Sequence, residues 1–150
     1  MNSKGSQFIM LAEDNADERE FFQEALESIG TGFRLEIFKN GRELIAALNK
    51  CTDLECYPDI VFLDLNMPIL NGWETLKEIR SEEQVKGVPI IAILTTSNSD
   101  KDKHTAFERG ADAFISKPNS FDSLKVLIAK ALNTDWTSKK KDIDDFIIKP

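Results

Sequence analysis

Four short apolar runs in this chain each stop on a polar residue. Residues 8–12 (Phe-Ile-Met-Leu-Ala) run into Glu13 and Asp14, and residues 60–63 (Ile-Val-Phe-Leu) stop at Asp64. Residues 88–94 lead to Thr95, Thr96 and Ser97, and residues 111–116 lead to Lys117 and Pro118. Runs this short, apolar on both faces and rich in β-branched side chains, have the pattern of buried strands in a parallel sheet. A buried strand that ends in a carboxylate needs a partner for it, because an unpaired buried charge is costly. Asp64 is therefore the residue around which the chain is expected to be built.

The segments between these runs keep a helical period. Phe21, Phe22, Ala25, Leu26 and Ile29 predict a helix over residues 16–29, stopped by Gly30 and Gly32. Residues 33–38 alternate weakly and predict a second strand, followed by an Asn40-Gly41 turn and a short helix through Leu44, Ile45 and Leu48. Trp73, Leu76 and Ile79 predict a third helix starting after Gly72, and residues 81–87 form a charged connection. Residues 100–109 make a polar fourth helix, and Ser120 caps a fifth with the stripe Phe121, Leu124, Leu127, Ile128, Ala131 and Leu132. Strands alternating with helices imply an α/β fold, a doubly wound parallel sheet with helices on both faces. Ligands of such folds bind beyond the carboxyl ends of the strands. Glu13, Asp14, Asp64, Thr95 and Lys117 all fall there, each at the end of a strand.

Three carboxylates brought together repel one another unless a cation shares the site. An all-oxygen donor set selects a hard ion, Mg2+, with Mn2+ able to substitute. Asp14 and Asp64 would bind it directly and Glu13 through water. Lys117 and the Thr95 hydroxyl would neutralise and hydrogen-bond phosphoryl oxygens, and Asp64 would be the carboxylate nucleophile of aspartyl-phosphate chemistry.

Composition narrows the partners. The formal net charge of −7 and a pI near 4.8 argue against nucleic acid and against an anionic membrane surface. No apolar run approaches the roughly 20 residues of a membrane span, and residues 1–7 are polar, without the apolar core of a signal peptide. A cytoplasmic protein is expected.

These residues resemble the receiver domain of two-component response regulators, over about residues 7–134. The acidic pair is Glu13-Asp14; the phosphoacceptor Asp64 lies in Phe-Leu-Asp-Leu-Asn-Met-Pro, followed by Gly72; the hydroxyl is Thr95 in Leu-Thr-Thr-Ser; the lysine is Lys117 in Ser-Lys-Pro. The resemblance implies a flavodoxin-like (βα)5 three-layer sandwich with sheet order 2-1-3-4-5. It implies that the Asn66 backbone carbonyl binds the metal, that Lys117-Pro118 is a cis peptide, and that Thr95 and Phe114 form a switch pair. That pair would bias the surface of helix 4, strand 5 and helix 5, where a homodimer would also form. The implied donor is a sensor histidine kinase or a histidine phosphotransfer protein, and the implied output is contact with another protein, not catalysis. The Leu-Thr-Thr-Ser segment and the long 81–87 connection are similar to single-domain regulators paired with bacterial phytochromes. Three features depart from the commonest pattern: Glu13 for Asp, Thr96 for a small residue, and Phe114 for Tyr.

Two other classes share parts of this pattern. A phosphohydrolase of the haloacid dehalogenase type also uses an Asp nucleophile and Mg2+, but it needs an Asp two residues on, where this chain has Asn66. A binding fold without chemistry would leave Asp64→Asn silent. Cys51 and Cys56, four residues between them in a polar loop, are expected as free thiols, His104 as a surface residue, Trp73 as packing at a helix start and Lys139-Lys140-Lys141 as a solvated run. Residues 135–150 are expected as a short tail, with no output domain. Its apolar Ile143, Phe146, Ile147 and Ile148 either fray or dock, on the helix-5 face or on a second copy.

Overall fold

In the computed structural model, residues 7–52, 56–81, 89–136 and 142–150 are described. The strands are β1 (Gln7–Ala12), β2 (Phe33–Phe38), β3 (Ile60–Leu63), β4 (Ile90–Thr95) and β5 (Ala113–Ser116). The helices are α1 (Ala16–Ile29), α2 (Gly41–Asn49), α3 (Gly72–Ser81), α4 (Asp100–Glu108), α5 (Phe121–Asn133) and a short α6 (Ile143–Phe146). The strands form one parallel sheet in the order β2-β1-β3-β4-β5, as expected. The predicted 81–87 connection, the Val88 start of the fourth strand and the Lys139–Lys141 run lie outside the described residues, Ser81 apart.

Alternate residues of each central strand feed opposite faces. Met10, Ala12, Val61, Leu63, Ile91 and Ile93 pack with Leu44, Leu48, Leu76, Ile79 and Ala106 of α2, α3 and α4. Ile9, Leu11, Ile60, Phe62, Ala92 and Leu94 pack with Phe22, Ala25, Leu26, Leu124, Leu127 and Ile128 of α1 and α5. Two cores flank one sheet, which makes the three-layer sandwich and explains why the strands read as continuous apolar runs.

Register is what positions the site. Ala12 pairs with Leu63, so Glu13 and Asp64 leave adjacent strands side by side. Thr95 pairs with Ser116, so Lys117 emerges just past the end of β4. The sheet order turns at β1 and β3, the point at which a crevice opens in doubly wound folds.

Three expectations are corrected. Asn40-Gly41 is not a free turn: the Asn40 side chain accepts a hydrogen bond from the Glu43 N–H at 2.9 Å and caps α2, whose first residue is Gly41. Gly72 likewise opens α3 instead of preceding it; Asn71 and Glu74 exchange backbone-to-side-chain bonds at 2.9 and 3.0 Å, a reciprocal cap. Cys51 and Cys56 are not free thiols. They form a disulfide, with the two Cα atoms 5.2 Å apart, and the Cys51 N–H donates to the Leu48 carbonyl where the chain leaves α2.

The tail docks. Phe146 is fully buried, against Phe107 of α4 and Phe114 of β5. Ile147 makes a parallel bridge to Phe114, and the Ile148 N–H donates to the Phe114 carbonyl at 3.0 Å. This covers part of the outer edge of β5, a strand with a neighbour in the sheet on one side only.

Candidate phosphoacceptor and metal centre

Asp64 follows β3 directly, and its N–H donates to the Ala12 carbonyl at 3.1 Å, which fixes its backbone to β1. The residue is buried, with its side chain 7% exposed. The loop behind it is held close by α3. The Gly72 N–H donates to the Leu65 carbonyl at 3.0 Å, and a Cβ at Gly72 would lie 2.3 Å from the Asp64 carbonyl oxygen. Only glycine lets the helix start this near the strand end. Between them, Leu70 N–H donates to the Pro68 carbonyl at 2.7 Å and closes a three-residue turn about Ile69, which takes φ 70 and is 77% exposed.

Glu13 and Asp14 follow β1. The Glu13 N–H donates to the Phe38 carbonyl, and its side chain is buried and accepts from the Asn15 N–H at 3.2 Å. Arg19, one turn into α1, donates to the carbonyls of Glu13 and Asp14 at 3.0 and 2.9 Å and locks this loop. One carboxylate oxygen each from Glu13, Asp14 and Asp64 lie within 4.8 Å of one another. Lys117 enters from β5: its Nζ is 2.8 Å from Glu13 Oε1 and 3.6 Å from Asp64 Oδ2, and it also pairs with Glu18 of α1.

The electrostatics follow from that crowding. Burial pushes the Glu13 carboxyl up to about 7, with Asp64 adding to the rise and Lys117 opposing it. Burial also raises Asp64, against the pull of Lys117. Burial alone would lower the Lys117 ammonium, but its bonds to Glu13 and Glu18 hold it above its ordinary value. Three carboxylates, Glu13, Glu18 and Asp64, thus share one ammonium, and the Asp14 carboxylate lies beside two of them. The set is all oxygen and short of positive charge, which fits a hard divalent cation held by Asp14, Asp64 and Glu13.

Thr95 ends β4 wholly buried, and its hydroxyl accepts from the Ser97 N–H at 3.3 Å. Asn66 is exposed, and its N–H donates to Asp64 Oδ1 at 3.3 Å. Phe114 lies deeper along β5, wholly buried on the α4 side under Phe146. Thr96 is exposed and lines a cavity of about 290 Å³ beside Lys117, Glu18, Phe21 and Pro118. Glu18 and Arg19, which meet Lys117 and the Glu13-Asp14 loop, carry no signal in the sequence beyond polar residues in the first turn of a helix. His104 is exposed, its Nδ1 2.9 Å from the Asp100 carbonyl, and Trp73 packs at the start of α3 under the Arg109 guanidinium.

The geometry has counterparts among known proteins. Residues 9–129 match the family described as the response regulator receiver domain. The chain is 34% identical over 121 residues to the probable methanogenesis regulatory protein FilR2 of Methanothrix harundinacea, covering 78% of this chain and 76% of that protein. It superposes on the phosphorylated cyanobacterial phytochrome response regulator RcpA with a TM-score of 0.73 and 28% identity, covering 91% and 97% of the two chains. It superposes on the Mn2+-bound response regulator Rcp1 of Synechocystis sp. with a TM-score of 0.71 and 25% identity, covering 90% and 97%.

Proposed function

The chain belongs to the response regulator receiver domain family, and from that premise we propose that it accepts a phosphoryl group on Asp64 and signals through a change in its α4–β5–α5 surface. The observation that carries this is the Asp64 carboxylate itself. It is buried at a strand end, with an ammonium 3.6 Å away and two further carboxylates beside it. A carboxylate kept there without a role would be a cost to the fold.

Receiver domains take phosphoryl groups from histidine kinases. We assign the donor here to a phosphohistidine on a sensor kinase or a phosphotransfer protein. The phosphorus–nitrogen bond breaks, a bond forms between phosphorus and an Asp64 oxygen, and the imidazole leaves with its electron pair. Mg2+, or Mn2+ in its place, would be held by Asp14 and Asp64, with Glu13 through water and the Asn66 carbonyl, and would neutralise phosphoryl charge. Lys117 swings from its carboxylate partners to a phosphoryl oxygen. Thr95 gives up the Ser97 N–H and donates its hydroxyl to another. Phe114 follows into the space that Thr95 leaves, so the signal reaches the surface by packing alone. The phosphoryl group carries about −1.5 to −2 charges, on phosphomonoester values, in place of the single charge of the carboxylate, and it brings three acceptor oxygens that reorder the contacts of its neighbours.

Intact mass after incubation with acetyl phosphate and Mg2+ tests this. One phosphoryl adduct is expected in wild type and none in Asp64→Asn or with chelator. Steady turnover of phosphate esters by the purified protein would favour a phosphohydrolase instead.

A further inference from the structure

The tail holds three elements at once, and they are the three of one face. Phe146 puts its ring 5.2 Å from that of Phe107 on α4 and 6.3 Å from that of Phe114 on β5. The backbone of Ile147 and Ile148 pairs with that of Phe114. Lys130 on α5 donates from Nζ to the Lys149 carbonyl at 2.6 Å. Asp142 accepts from the Asp145 N–H at 2.9 Å and caps the helical turn that aims Phe146 inward. Phe114 therefore meets the tail with both its ring and its carbonyl, and it cannot move while the tail stays unchanged.

We propose that residues 142–149 are a tethered occupant of the α4–β5–α5 face, released by phosphorylation, and that the face then takes an outside segment of the same chemistry. That chemistry is one aromatic side chain followed by β-branched residues in extended backbone, as in Phe146-Ile147-Ile148. The ring fills the slot between Phe107 and Phe114, and the backbone adds to the open edge of β5. The proposal rests on the assignment of Asp64 as phosphoacceptor. Its direction comes from linkage. In this structure the Thr95 hydroxyl is engaged by the Ser97 N–H, and the tail fits the Phe114 position that goes with that arrangement. A ligand that fits one arrangement opposes whatever favours the other, and the opposition is reciprocal. Phosphorylation therefore loosens the tail, and loosening the tail favours phosphorylation. The attachment is one buried ring, three half-buried isoleucines (Ile143, Ile147 and Ile148) and a few hydrogen bonds, and both the ring and the backbone bonds meet Phe114, so a displacement of Phe114 loosens it.

The test is hydrogen exchange on the full chain with Mg2+, with and without acetyl phosphate, with intact mass read on the same samples. Exchange of the Ile147 and Ile148 amides is expected to rise about fivefold or more, within the usual range of coupling. Phe146→Ala should show fast exchange there without phosphorylation and a larger phosphorylated fraction at equal acetyl phosphate. Adduct formation with tail exchange unchanged or slowed would overturn the proposal while leaving the phosphoacceptor standing. Absence of any adduct would overturn both.

Discussion

Lys117 and Glu13, 104 residues apart, meet at 2.8 Å with both side chains nearly buried. The pair closes the floor of the site, and Glu18 closes it from the α1 side. A lysine shared among three carboxylates is held away from any incoming group until one of them lets go.

Glu18 is half-exposed and contributes nothing to the core, so its substitution isolates that restraint. Glu18→Gln is expected to speed phosphorylation by acetyl phosphate by a factor of about 2–5, the scale of one partly screened charge. The gain should shrink as salt is added. An unchanged rate at low and high salt alike would show that Glu18 does not restrain Lys117.

Glu13 sets a pH dependence. Its folded value of about 7 lies above the 4.5 of an ordinary glutamate. The folded state therefore binds a proton more readily than the unfolded one. The resulting stabilisation is complete below about 4.5 and is lost as pH rises through about 7, and Asp64, also raised, acts in the same sense. Metal-free protein should melt higher at pH 6 than at pH 8, by about 1.3 kcal/mol of stability from Glu13, and Glu13→Gln should flatten the difference. Because the cation must displace that proton, Mg2+ affinity should fall below pH 7 by up to about tenfold per unit. Mg2+ titrations at pH 6 and 8 check the second half.

Gly72 has backbone, not a flexible side chain, where a Cβ would go. Gly72→Ala should push α3 off the β3 end, cost about 1–3 kcal/mol, and slow phosphorylation because Asp64 moves with its carbonyl. A denaturation curve and the mass assay suffice. Full stability and full reactivity together would mean the helix start yields without cost.

Phe146→Ala would cost about 3–5 kcal/mol if the tail were part of the cooperative core. A segment that can undock alone limits that loss to its own docking energy. Phe146→Ala and removal of residues 139–150 should therefore destabilise equally, by about 1–2 kcal/mol on that local scale. No change in stability or association on removing the tail would show that its contacts carry no weight.

Much of this molecule was legible locally. Ile60 to Leu63 ending at Asp64, and the three other runs ending on Glu13, Thr95 and Lys117, state a strand and its chemical tip within a few residues. Apolar period and charge position need no knowledge of the rest of the chain. Alternation of strand and helix then leaves few topologies, and the resemblance to receiver domains, carried by those same tips, implied the sheet order.

What remained hidden depends on how elements sit against one another. Glu18 reaches Lys117 because of where α1 lies across the sheet, a matter of twist and packing that its spacing from Asn15 does not encode. Cys51 and Cys56 pair, and nothing in the residue types of a polar stretch announces that their Cα atoms end 5.2 Å apart. Asn40 reads equally well as a turn residue or a cap until Gly41 is seen to begin a helix. For the tail, the apolar residues between Ile143 and Ile148 do not name their seat, and only the slot between Phe107 and Phe114 shows it. Periodicity and residue type are local properties, so the sequence by itself determined the strands, the helices and the acids at their ends. The sum of weak contacts between distant segments is not local, and the tertiary structure alone decided which side chains meet Lys117 and what covers Phe114.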